Sequence, residues 1–178
     1  MNKLIFLSFI FLGLIACSPT LTPFSQKLYD DQKWSLEELQ KIQFYLSDDI
    51  VLYRKVASGE TTIKNGKIKM VNGEKIEEVI FKKGIPGVLI FMPKADRFAI
   101  SFDSGTDPKY LIFGPNPKMS SRYVLLGKEW DRNSGQVTYD NQVYETYSGS
   151  AFAGLLVNLK RANKLERKSS EVKGRIIQ

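Results

Sequence analysis

Histidine is absent from the 178 residues, and cysteine occurs once, at Cys17. One thiol excludes a disulfide within the chain, and the missing imidazole excludes His-based metal sites and His-based acid–base chemistry. No apolar run approaches the roughly 20 residues a membrane-spanning helix needs. The longest, Leu4 to Ile15, is interrupted at Ser8 and Gly13. The phosphate-cradling Gly-x-x-x-x-Gly-Lys-[Ser/Thr] loop and the Gly-x-Ser-x-Gly nucleophile elbow are missing too. What is present describes a folded protein. Hydrophobic residues make up 43% and charged residues 25%, which is globular and not disordered composition. Aromatics reach 12%, mostly Phe and Tyr, which favours strands.

The net charge of +7 is unevenly spread. Residues 160–178 hold Lys160, Arg161, Lys164, Arg167, Lys168, Lys173 and Arg175 against Glu166 and Glu171. With Lys3 at the amino terminus, this leaves the body close to neutral. The basic character belongs to the tail and does not mark the domain as nucleic-acid binding. A contact between this tail and an anionic surface is one reading, and a solvated face is the plainer one.

Met1-Asn2-Lys3 and the apolar run after it have the form of an export signal. The run ends in Leu14-Ile15-Ala16-Cys17, which resembles the lipobox of bacterial lipoproteins. That pattern is Leu, a small or aliphatic residue, Ala or Gly, then Cys; Ile15 stands where a smaller residue is more usual. The resemblance covers seventeen residues. It implies that residues 1–16 are removed, that the Cys17 thiol receives a diacylglyceryl group, and that the new amine is acylated, with palmitate as a typical chain. No other cofactor is expected. Each buried methylene contributes about 0.8 kcal/mol, so two or three chains hold stably where one does not. Ser18-Pro19-Thr20 follows with no Asp beside Cys17 and no acidic cluster. By analogy with lipoprotein sorting, this implies an outer-membrane anchor facing the periplasm.

The remainder divides into a lipid-anchored tether at 17–33, a β-rich globular domain at 34–159 and a basic C-terminal tail at 160–178. Pro19 and Pro23 discourage regular structure in the tether. Ser35-Leu36-Glu37-Glu38 fits a capping box opening one short helix, with Trp34 and Leu39 as its hydrophobic staple. Strand-like segments follow at Gln43–Leu46, Ile50–Val56, Thr61–Lys64, Lys67–Val71, Lys75–Lys82, Val88–Met92, Arg97–Phe102, Tyr110–Phe113, Tyr123–Leu126, Gln136–Tyr139, Gln142–Thr146 and Phe152–Leu159. Asn65-Gly66, Asn72-Gly73 and Asp140-Asn141 read as tight hairpin turns. Val88–Met92, continuously apolar, reads as a fully buried strand. The tail reads as helical near Arg161–Lys168 or as plain solvated chain. The fold expected is mainly β: an antiparallel sandwich or partly open barrel with one short N-terminal helix.

Candidate chemistry is sparse. Asp48-Asp49 and Asp103-Ser104-Gly105-Thr106-Asp107 read as turns, and neither has the spacing of a calcium loop. Glu129 and Asp131 flank Trp130 and, with Asp103, resemble a glycosidase acid pair in composition only. The expected function is a non-enzymatic interaction or assembly module, with the membrane and an envelope protein as partners. It would serve a secretion, transport or cell-wall complex. The alternatives are a β-barrel carrier of a small apolar ligand and a carboxylate-only glycan hydrolase.

Overall fold

Alternating side chains and turn chemistry build two antiparallel sheets. The computed structural model describes residues 20–56, 66–132 and 134–169. The first sheet contains β1 (Thr22–Pro23), β2 (Gln43–Leu46), β6 (Pro86–Lys94), β7 (Arg97–Ser101), β8 (Leu111–Asn116), β9 (Arg122–Leu125) and β12 (Leu155–Val157), in the order β1-β12-β2-β6-β7-β8-β9. The second contains β3 (Ile50–Lys55), β4 (Lys67–Val71), β5 (Glu74–Phe81), β10 (Ser134–Tyr139) and β11 (Gln142–Tyr147), in the order β10-β11-β3-β5-β4. This is the mainly β, sandwich-like class expected.

The two-residue turns explain two hairpins directly. Asn72 and Gly73 take φ of 50° and 80° between β4 and β5, and Asp140 and Asn141 take 49° and 57° between β10 and β11. Positive φ at both central residues matches the right-handed twist of the flanking strands. The turn at Asn65-Gly66 and the strand at Thr61–Lys64 involve residues outside those described.

The first sheet curls. The free edge of β9 is stitched to two distant segments: Tyr123 donates its N–H to Phe24 O at 2.9 Å, and Leu125 donates to Ala153 O at 2.9 Å. Gln26 N–H closes the same seam on Ser121 O at 2.9 Å. The seam consists of isolated bridges, not a continuous ladder, so the sheet does not close into a barrel. Phe24 fills it from inside. Its ring is fully buried and lies 5.3 Å from Phe44, 5.4 Å from Phe98, 5.0 Å from Tyr123 and 6.1 Å from Trp34. Such aromatic pairs each add about 0.5–1.5 kcal/mol beyond area burial.

Several expectations are corrected here. The segment 17–33 is not a tether throughout: β1 pairs with β12, and α1 (Gln26–Gln32) follows, capped by Ser25 Oγ accepting from Leu28 N–H. Local polarity and two prolines hid a strand whose partner lies at the other end of the chain. One short helix becomes three. The capping box of α2 (Leu36–Lys41) forms as expected, with Glu38 reaching back to the Ser35 amide at 2.8 Å. The tail contributes α3 (Leu159–Ser169). Phe152 leaves the expected closing strand for a 3-10 turn spanning Ser148–Phe152. Val88–Met92 is not continuously buried: alternation along β6 turns Val88 outward, and a register shift against β7 between Leu89 and Phe91 leaves Phe91 exposed.

One ion pair sits inside the second sheet. Arg54 Nε donates to Glu77 Oε2 at 2.6 Å, with the Glu77 side chain wholly buried. The Arg54 guanidinium lies 5.9 Å from the centre of the Tyr144 ring. Burying two charges costs more than their attraction returns unless both are well bonded.

Two stability tests follow. Phe24→Ala should cost about 3–5 kcal/mol in denaturant unfolding, the usual penalty for emptying a buried aromatic site. Glu77→Ala alone should cost about 3–5 kcal/mol, because it strands a guanidinium in the sheet interior. Arg54→Met with Glu77→Leu should recover most of that loss in the same assay.

Candidate functional site

The antiparallel register brings the first described residues and the start of α3 to one end of the first sheet. Thr22 pairs with Val157, and Val157 pairs with Phe44. Thr20 and Leu21 therefore run beside the chain after Val157, next to the start of β2. Thr20 and Leu21, the entry to α3 and the α2–β2 junction share that end. Cys17 itself lies outside the described residues, as do Lys173 and Arg175.

The tail is helical where it was read as helical or solvated. Asn158 starts α3, its Oδ1 accepting the Arg161 N–H at 3.2 Å. Ala162 is buried and Leu159 packs against the core. Lys160, Arg161 and Lys164 are exposed. At 100° per residue, positions 160, 161, 164, 167 and 168 fall within an arc of about 120° on the helix backbone. That stripe is written in the sequence as an i, i+1, i+4, i+7, i+8 spacing and escaped a reading by charge count. A polybasic surface gains about 1 kcal/mol per residue near an anionic membrane.

A groove of about 300 Å³ opens between α2, β2 and α3, lined by Lys41, Ile42, Gln43, Asn158, Arg161, Ala162 and Lys164. Its floor is apolar and its rim carries three cations. Among the described residues, no carboxylate lines it. Nothing local in the sequence announces it, because its two walls are contributed by opposite ends of the chain.

A second opening, of about 380 Å³, lies over β6 and β8 beside the β10–β11 turn. Phe91 and Tyr110 form one wall, edge to face at 4.9 Å. Asp107 and Asp140 also line it, and Lys109 Nζ stands 3.7 Å from Asp140 Oδ2. The aromatic wall and polar rim suit a small polar ligand, with Lys109 partly neutralising the acidic side.

The other carboxylates are tied into turns. Asp49 accepts from the Lys83 amide at 2.7 Å and from Lys82 Nζ at 2.8 Å. The Lys82 hydrogen bond, then the Lys83 amide, hold its carboxyl below the usual range. Asp103 Oδ1 accepts from Gly105 N–H at 3.1 Å, the Asx turn expected there. Asp131 Oδ1 accepts from Ser134 N–H at 2.6 Å. Trp130 lies flat on Gly135, where an added Cβ would collide with the indole ring, so its ring seals a turn. Among the described residues, no cluster of three metal-ligating side chains forms.

The outer face of the second sheet mixes aliphatic and aromatic side chains with charged ones, Glu78 and Glu145 both standing opposite Tyr53. Val51 stands opposite Ile80, and Tyr53 opposite Glu145. Tyr53 and Tyr147 rings lie 5.0 Å apart. Val143 is 59% exposed, Tyr147 57% and Ile80 44%. Lys55–Glu74 and Lys69–Glu78 pairs edge this patch.

Comparison with protein-family models, with curated proteins and with solved structures gave no match.

Two buried phenols set an alkaline limit. Burial, then the charges of Asp103 and Asp140, pushes the Tyr139 hydroxyl up to about 12. Burial raises Tyr123 further, and its hydroxyl donates to Gln26 Oε1 at 2.8 Å. Both phenols are neutral in the fold and ionise more readily once unfolded. Their contribution is complete below about pH 10, the ordinary tyrosine value, and is lost as pH rises through 12 and beyond. Tyrosinate absorbance should show at least two of the eight tyrosines resisting ionisation until unfolding. Tyr139→Phe should flatten the fall in stability above pH 10.

Proposed function

We propose that this chain is a lipid-anchored protein of the bacterial cell envelope whose β-rich domain binds a protein partner and does no chemistry of its own. The observation that carries the reading is the outer face of the second sheet, where Ile80, Val143 and Tyr147 are exposed beside half-buried Val51 and Tyr53, with Glu78 and Glu145 among them. Exposed large apolar side chains grouped on one face mark interaction sites, and tyrosine is among the residues that dominate binding energy. Charged pairs at its edge supply a polar rim.

The Leu14-Ile15-Ala16-Cys17 signature supports the anchor, and Ser18-Pro19 supports retention at the outer membrane, facing the periplasm. The paired strand at Thr22 changes the expected reach. Four residues separate it from Cys17, and a fully extended chain covers no more than about 3.6 Å per residue. The domain then rides close to the headgroups, and its partner is one that comes to the membrane surface. Sharing one membrane raises the effective concentration of both, so modest affinity suffices.

The carrier alternative needs a hollow barrel. Phe24, Phe44, Phe98, Phe113 and Tyr123 occupy the space that a ligand would need.

Labelled palmitate should enter the wild-type protein and not Cys17→Ser, and Cys17→Ser should move to the soluble fraction. Val143→Glu with Tyr147→Glu should cut recovery of the partner from solubilised membranes at least tenfold, with thermal unfolding unchanged. Undiminished recovery would remove this face as the interface.

A further inference from the structure

We propose that the groove between α2, β2 and α3 is a binding site for an anionic phospholipid of the leaflet that holds the anchor. This deepens the lipid-anchored reading and rests on it for the source of the ligand. Three observations converge. The floor is apolar, with Ile42 and Ala162 both buried, and suits an acyl chain. The rim presents Lys41 from α2 and Arg161 and Lys164 from α3, and among the described residues no carboxylate lines the groove. The register places this end beside Thr20 and Leu21, three and four residues on from Cys17 in the sequence.

The chemistry selects the ligand class. A phosphate alone would satisfy the cations and leave the floor bare. A neutral lipid would fill the floor and leave three cations unmatched. An anionic phospholipid does both at once. At about 300 Å³, the groove is at the small end for a ligand site and holds part of one chain, not a whole lipid. The arginine fork pairs bidentately with phosphate, while the two lysines act as point charges. The basic stripe of α3 continues the same surface outward. Cations from two separate elements meet one headgroup, so occupancy also braces α3 against α2.

The test uses the mature lipidated protein in vesicles of phosphatidylcholine, alone or mixed with phosphatidylglycerol. Flotation with neutral vesicles reads the anchor; amide exchange at Lys41–Gln43 and Leu159–Lys164 reads the groove. Exchange there should slow only when phosphatidylglycerol is present. Arg161→Gln with Lys164→Gln should require about 30-fold more phosphatidylglycerol for the same protection, and the fold should be unaffected because both side chains are exposed.

Equal protection in neutral vesicles would assign the groove to the acyl chains on Cys17 and overturn the proposal. Equal protection by glycerol phosphate in solution would reduce it to a free-phosphate site and overturn it too. No protection in either vesicle would leave the groove unused. If the protein fails to float with neutral vesicles, the anchor reading falls by itself. Soluble dihexanoylphosphatidylglycerol then decides the groove separately: protection upholds a phospholipid site, and its absence ends it.

Discussion

Phe24 occupies the place where the curled sheet would otherwise gape. β9 has an open edge, and both edges of β12 are already taken by β1 and β2. The chain around Phe24 supplies both remedies at once: backbone groups that bond to β9 and β12, and a ring that meets Phe44, Phe98, Tyr123 and Trp34. Exposed strand edges invite pairing with other chains. Here the amino-terminal segment of the domain covers the edge. The rest of the core is arranged around that closure, including the position of α1, whose Tyr29 lies 5.6 Å from Phe98.

Much of this fold was legible because its signals are local. Gln43–Leu46 and Lys67–Val71 appear in the structure with the limits their alternation suggests. Asn72-Gly73 and Asp140-Asn141 force positive φ at adjacent residues, and few other arrangements satisfy that. The Ser35–Glu38 box needs only four residues to declare itself. Illegible features depended on distant partners. Thr22–Pro23 looks like linker until Leu156 and Val157 are placed beside it. Phe91 looks like core until a register shift turns it outward.

The surface features divide in the same way. The basic stripe of α3 lay in the spacing of its Lys and Arg positions, and only the helix was needed to read it. The groove beside it was not legible, because Lys41 and Arg161 become neighbours only through β12 and β2. The aromatic pairs are similar. Tyr53 with Tyr147 and Phe91 with Tyr110 are each assembled from strands or loops far apart in the chain. Turn carboxylates, in contrast, behaved as their neighbours implied. Asp103 serves a turn two residues on, and Asp131 one three residues on.

The strand that closes the sheet is also the first piece of the domain to feel any tension applied at the amino terminus. Thr22 and Pro23 lie antiparallel to β12, so a pull toward residue 1 runs along the strand axis. That direction loads the β1–β12 bonds together in shear instead of peeling them one by one. Phe24, lodged among aromatic rings just behind, acts as a barb against withdrawal. Resistance to such a pull therefore rests on bonds that share the load, backed by a ring that cannot slide out without emptying the core.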